Sequence, residues 1–358
     1  MPSLKEIKGR INSISSTLAI TSAMKMVAAA KLQKAQMAIQ NMLPYERRLY
    51  SMLLDLMGAM NISAAASEDG SVRGSGSAER GFDQSGDRLS LSNRHDLAGM
   101  DGAYSLMAQR EVRKVAIVAF ASNSSLCGAF NSNVIREATA VINEYRASGL
   151  RDSDIVVYSV GRKMAEAMRK LGFPSPADFT KMSDSPSYDA ASALAQELLD
   201  GFVSGRFDKV ELVYNHYKST SSQPTTRQTY LPLSLADATA DLQAGKIADS
   251  ASESDTNRGA EPVGAPVVRQ GSPTTEDLIV EPSKEALIAT LLPKVIRLRI
   301  FTTLLDSAAA EHAARTVAMQ LATDNGNDLL QELTLEYNKG RQQKITSEIL
   351  DLVGGSMQ

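Results

Sequence analysis

Tryptophan is absent from this chain, cysteine occurs once, histidine three times, and aromatic residues make up only 5% of its 358 positions. A single thiol, Cys127, excludes an internal disulfide and any CxxC metal or redox motif, and suits a reducing compartment. His95, His216 and His312 stand far apart, without acidic or cysteine neighbours at metal-ligand spacing. Long apolar runs are missing as well. No stretch approaches the roughly 20 residues that span a bilayer, and Lys5, Glu6, Lys8 and Arg10 fall where a signal peptide would carry its apolar core. With no Arg- and Ser-rich, acid-poor leader, neither secretion, membrane insertion nor mitochondrial import is expected.

Motifs of catalysis are equally scarce. No Ser/His/Asp arrangement or carboxylate pair stands out, and neither GxxxxGK[ST] nor GxGxxG occurs. The nearest approach to a ligand loop is the polar turn Ser122 to Asn131, which would join a strand to a helix. It reads more simply as a structural turn with a buried thiol. His312, beside Glu311 on a helical stretch, is expected to make a surface or interhelical hydrogen bond. No cofactor is implied.

What the chain has is a heptad seam. Leu4, Ile7, Ile11, Ile14, Leu18, Thr21, Lys25, Ala28, Leu32, Ala35, Ile39 and Met42 advance in alternating steps of three and four. That repeat keeps one stripe facing a partner only in a left-handed supercoil. Thr21 and Lys25 break its apolar character, inside a run from Ile20 to Lys31 that should project something other than packing. Residues 1 to 40 carry Lys5, Lys8, Arg10, Lys25, Lys31 and Lys34 against Glu6 alone, so the first helix is a basic rod.

That helix is expected over 1–60, with a kink at Pro44. At 1.5 Å per residue it would be on the order of 80 Å long and needs a partner. The comparable segment is 278–358, with Ser283 as N-cap, a bend at Pro293, and a middle rich in alanine from Ala308 to Ala322. Pairing of the two ends within one chain fits better than pairing in a homodimer, because they differ so much in residue size. Between them, 111–235 alternates short apolar runs (Val115–Phe120, Ile155–Val160, Lys209–Tyr217, Thr226–Leu233) with helical stretches, which implies a small α/β, Rossmann-like domain with a largely parallel sheet. The fold class is therefore a long antiparallel coiled coil plus an α/β domain. Segments 61–110 and 236–277 are dense in Ser, Gly and charge, and read as mobile insertions.

Four blocks, in order, carry a family signature: Ile20 to Lys31; Leu126-Cys127-Gly128 with Asn131; Glu311 to Asn325; and Tyr337 to Ile349. In these the chain resembles the γ subunit of F-type ATP synthase over nearly its whole length apart from the insertions. It departs from the family pattern at Ser124-Ser125, usually Arg-Gly, and at Gly340 and Ser356, usually Ala. With Cys127 alone it lacks the cysteine pair by which chloroplast members respond to redox state.

The resemblance implies a non-catalytic rotor shaft. Its coiled coil would stand in a ring of α and β subunits, and its foot would meet the ε subunit and the c-subunit ring, on the cytoplasmic side of the inner membrane. No contact with nucleic acid follows. Arg341 and Gln342, with Thr346 and Glu348, occupy the block that hydrogen-bonds a β loop. Met24, Lys25 and Met26 occupy the block near an acidic β lever, and Tyr214, Asn215 and Tyr217 resemble the foot segment facing the c ring. From the residues alone, a nucleotide-binding α/β enzyme and a free-standing coiled-coil scaffold remain open.

Overall fold

The computed structural model describes residues 3–59, 106–233, 281 and 283–356. Segment 236–277 and residues 61–105 of the other expected insertion lie outside them. The elements are α1 (Leu4–Ala59), β1 (Val115–Phe120), α2 (Phe130–Ala147), β2 (Ile155–Val160), α3 (Arg162–Lys170), α4 (Thr180–Asp184), α5 (Tyr188–Val203), β3 (Lys209–Asn215), β4 (Thr225–Leu231) and α6 (Lys284–Ser356), with a 3-10 turn at Asp152–Asp154. The short α4 and the 3-10 turn carry no apolar period that would announce them.

Helices α1 and α6, of 56 and 73 residues, run through Pro44 and Pro293 without a break. Ser283 caps α6, its Oγ accepting from the Ala286 N–H at 3.1 Å. The two helices pair antiparallel. All twelve seam positions of α1 are buried or half-buried. On α6, Thr323, Gly326, Leu330, Leu333, Tyr337 and Gly340 are half-buried in the same three-four alternation, between exposed neighbours. Thr323 donates to Thr21 at 3.1 Å, and a methyl group placed on Gly326 would come within 2.7 Å of Leu18 Cδ2. Leu4 lies against Gly340, so two heptads forward on one helix match two heptads back on the other. These glycines are seats for leucines, which explains how α6 tolerates them.

The sheet has the order β2-β1-β3-β4, with β1 parallel to β2 and β3, and β4 antiparallel on the edge. Every residue of β1 is buried, as its unbroken apolar run requires of a strand covered on both faces. Ala116, Val118 and Phe120 face α5 and the lower parts of α1 and α6, including Leu53, Leu56, Leu292 and Ile296. Val115, Ile117 and Ala119 face α2 and α3, with Val134, Ile142, Met164 and Met168. The base of the coiled coil is thus one layer of the α/β unit. Leu106 belongs to that first core at 4% exposure and accepts from the Leu233 N–H at 3.0 Å, so the unit's packing begins before residue 111.

The sheet is also oriented along the shaft. The end of β3 lies level with Asp306, while Tyr230, opposite the start of β3, donates from its hydroxyl to the Ile296 carbonyl at 2.9 Å. The N-termini of β1, β2 and β3 therefore point toward the base of α6, and their C-termini toward its tip.

Candidate functional site

The C-terminal ends of the strands deliver two loops to the middle of α6. The chain turns out of β1 through Ser122 to Asn131 with positive φ at Leu126 (68°) and Gly128 (58°). Asn131 holds that turn together. Its Oδ1 accepts from the Ser122 N–H at 3.0 Å, and its Nδ2 donates to Ser122 Oγ, the Ser124 carbonyl and Cys127 Sγ at 3.0, 3.1 and 3.2 Å. Cys127 is 1% exposed, and burial raises its pKa, so the thiol is an inert packing group. Arg315 of α6 then clasps the loop. Its guanidinium donates to the Ser125 carbonyl at 2.6 Å, to Ser124 Oγ at 2.8 Å and to Glu311 Oε1 at 2.6 Å. Of the departure Ser124-Ser125, the Ser124 hydroxyl thus supplies an acceptor for a shaft arginine. Burial raises the pKa of Glu311, and its bond to Arg315 opposes that shift.

The second loop leaves β3. Asp306 accepts from the Tyr217 N–H at 2.8 Å through Oδ1 and pairs with His216 Nδ1 at 2.7 Å through Oδ2. The Tyr217 hydroxyl accepts from Gln36 Nε2 of α1 at 2.6 Å, so this loop engages both helices. Between the two loops, Ala309, Ala310 and Ala313 have no exposed surface. Leu32 packs on Ala309 and Ala313 from one side, and Cys127 and Phe130 on Ala310 from another. Small residues let α6 fit between α1 and the domain.

A cavity of about 270 Å³ opens beside this joint, lined by Met24, Val27, Lys31, Asp184, His312 and Arg315 among others. The hydrogen bond expected of His312 is not found at Nδ1, which is buried without a partner among the described residues. Burial, and then the charges of Lys31 and Arg315, pull its pKa down to about 4, which keeps it neutral.

The sequence-derived site residues fall in three places. In the N-terminal block, Met24 and Lys25 are half-buried along the seam, while Met26 is 65% exposed next to Val27 at 57%. In the C-terminal block, Arg341, Gln342, Thr346 and Glu348 are all exposed. Thr346 donates to the Gln342 carbonyl at 2.9 Å, Glu348 pairs with Lys344 at 3.6 Å, and Arg341 makes no ion pair among the described residues. The two blocks are not brought together. By the register of the seam they lie about 30 Å apart along the shaft.

The foot assignment needs correction. Asn215 is 1% exposed; its Nδ2 donates to the Phe130 carbonyl at 3.1 Å, and its Oδ1 accepts from Thr225 at 2.7 Å. Tyr214 is 9% exposed in the sheet core, and Tyr217 lies in the joint. Tyr214 and Asn215 are thus enclosed by the domain itself, while Tyr217 is half-buried. They sit at the strand end that points toward the tip of the shaft, away from its base. The residues that do join domain and shaft, Asp306, Glu311 and Arg315, were legible only as charges inside an alanine-rich stretch.

The sequence profile of the family described as ATP synthase matches residues 3–357. The ATP synthase gamma chain of Phocaeicola vulgatus is 46% identical over 357 residues, which cover all of both chains. That of Parabacteroides distasonis is 39% identical over 99% of both, and that of Flavobacterium psychrophilum 35% over 99% of this chain and 98% of its own. The chain belongs to the ATP synthase γ family. Both expected insertions lie within these alignments, so the added length is shared with γ relatives. Among solved structures, a chain of the Euglena gracilis mitochondrial ATP synthase (OSCP/F1/c-ring) has the same fold, with a TM-score of 0.51 at 18% identity, covering 99% of this chain and 93% of that one.

Proposed function

We propose that this chain is the central rotor shaft of an F-type ATP synthase, coupling ion flow through a c ring to conformational change at catalytic sites on β subunits. The observation that carries this is the free end of α6. Beyond Gly340, where α1 begins opposite it, α6 continues for about 24 Å. Every residue from 341 to 350 is exposed there, and Ile345, Ile349, Leu350, Leu352 and Val353 are 46–74% exposed. A single helix with this much apolar surface is marginal in water and requires a sheath. A ring of α and β subunits supplies one.

In this reading the chain contributes contacts and no catalytic group. Each contact biases a β site only by its differential affinity for the site's open and closed states. Arg341, without an ion pair among the described residues, gives two parallel bonds to a partner carboxylate in this reading, with Gln342, Thr346 and Glu348 around it. Met24, Lys25 and Met26 form a separate contact lower on the shaft. The ring-facing foot is the base of the coiled coil with the N-terminal edge of the sheet, where the ε subunit also docks. Attachment is peripheral, on the cytoplasmic side of the inner membrane; no helix among the described residues is long and apolar enough to cross a membrane.

The test is reconstitution with α and β subunits. The wild-type chain should support ATP hydrolysis, and Arg341→Ala should weaken hydrolysis or coupling while leaving the circular dichroism of the chain unchanged. Normal turnover by the variant complex would remove Arg341 from the coupling contact.

A further inference from the structure

We propose that Asp306 and Arg315 are positioning residues that fix the angle between the α/β domain and the shaft, so that rotation of the foot reaches the upper coiled coil without lost angle. This rests on the rotor-shaft reading.

The domain holds the shaft in two chemically different ways. At the base, contact is mainly apolar, through Leu53, Leu56, Leu292 and Ile296, with bonds from Tyr230 to the Ile296 carbonyl and from Arg297 to Gln196 beside them. Apolar contact resists separation but has no preferred direction. At the joint, contact is by hydrogen bonds, which weaken steeply when turned off axis. Asp306 and Arg315 are nine positions apart on α6. At 3.6 residues per turn, that puts them on roughly opposite sides of the helix and about 13 Å apart in height. The β3 loop grips one side through the Tyr217 N–H and His216 Nδ1 on Asp306, at 2.8 and 2.7 Å. The β1 loop grips the other through Ser124 Oγ and the Ser125 carbonyl on Arg315, at 2.8 and 2.6 Å. Gln36, donating to the Tyr217 hydroxyl at 2.6 Å, ties in the second helix. Turning α6 about its axis must stretch bonds at one jaw or the other.

The clasp also sits where it matters most. Above Met319 the half-buried positions of α6 are mainly the seam toward α1. A twist admitted at this level would be carried to the tip. The donor Arg315 and its partner Glu311 are 9% and 8% exposed and Asp306 is half-buried, so water reaches these groups only in part.

The experiment uses the complete complex in membrane vesicles, comparing ATP-driven ion pumping with ATP hydrolysis, and hydrolysis by the detached α, β and γ assembly, where the foot carries no load. The variants are Asp306→Ala, Asp306→Asn and Ser124→Ala. Ser124 lies on the foot side of the joint, and its loss leaves the shaft surface untouched. With Asp306→Ala and Ser124→Ala together, pumping per ATP should fall by about threefold or more, the equilibrium scale of one or two lost hydrogen bonds. Hydrolysis by the detached assembly should stay near wild type. Asp306→Asn should restore most of the pumping, because its amide oxygen still accepts from the Tyr217 N–H. An unchanged pumping ratio, a parallel fall in detached hydrolysis, or an Asn variant no better than Ala would each overturn the proposal. If the wild-type chain supported no hydrolysis with α and β, the rotor-shaft reading itself would fall, and the clasp with it.

Discussion

Exchanging a large and a small residue across the helix pair tests the architecture at its narrowest point. Leu32 of α1, 7% exposed, packs on Ala309 and Ala313 of α6, both without exposed surface. Leu32→Ala removes most of a buried side chain and leaves a void bordered by alanines that cannot reach across it, so it should cost about 2–5 kcal/mol. Ala313→Leu forces three additional carbons against Leu32, Ile39 and Tyr217, and should cost about 1–3 kcal/mol. The double variant returns the large group from the opposite helix. Because volume-conserving exchanges usually cost less than about 1.5 kcal/mol, it should be more stable than the Leu32→Ala single variant. The assay is urea unfolding of the purified chain followed by helical circular dichroism, at two protein concentrations. Within-chain pairing predicts midpoints independent of concentration, whereas a homodimer predicts midpoints that rise with it. Costs that simply add in the double variant would show that Leu32 and Ala313 do not share a site, and the register would be wrong.

Titration of the histidines follows from their surroundings. Its bond to Asp306 raises the pKa of His216, so that pair's stabilisation is complete below pH 6.5 and lost as pH rises through the folded value. His312, pulled down to about 4, acts oppositely: its contribution is present above 6.5 and lost as pH falls toward 4, about 2 kcal/mol after allowance for its partial exposure. Proton NMR of the imidazole C–H signals checks both, and His312 titrating near 6.5 would refute its burial. In the sheet, Glu211 accepts from Tyr145, Lys209 and Arg227 at 2.6–2.7 Å with its side chain 2% exposed. Burial would raise its pKa, but bonds to Arg227, Lys209 and Tyr145 outweigh that and lower it, so its support is present above 4.5 and lost as pH falls through the folded value. Glu211→Ala leaves Lys209 without its carboxylate and Arg227 with Glu144 alone, and should cost about 3 kcal/mol in urea unfolding, well beyond an exposed control such as Glu111→Ala.

Periodicity made most of the fold legible, because burial on one side leaves its mark at every third and fourth residue or every second. Strands β1 and β2 have the expected bounds, and α1, Leu4–Ala59, fills nearly all of the span 1–60. Even Lys25, an improbable seam residue, is half-buried where the heptad puts it. Two things escaped. Gly326 and Gly340 looked like interruptions, since helix propensity is local while the leucines that use them come from the other end of the chain. Tyr214, Asn215 and Tyr217 looked like a surface, because a polar Tyr-Asn-His-Tyr run after a strand gives no sign that Phe130, Thr225, Asp306 and Gln36 will consume its hydrogen bonds. Residue types showed that a joint existed, but its direction required the strand order.

The same register that pairs the helices says where pairing ends, and this separates folding from function along α6. Since Leu4 meets Gly340, residues beyond 340 have no α1 side chain opposite them, and 341–350 are all exposed. Truncation after Gly340 should therefore leave the urea midpoint of the free chain within about 0.5 kcal/mol of wild type, as for surface changes that touch nothing. It should also reduce self-association, because it removes Ile345, Ile349, Leu350, Leu352 and Val353, each at least 46% exposed. In the assembled complex the direction reverses: the sheath loses those apolar contacts together with Arg341, so the truncated shaft should dissociate from α and β more readily on dilution. A midpoint that fell with truncation would mean the tip is packed in the free chain, against a second copy of itself. Unchanged dissociation would mean that the apolar tip is not what the ring holds.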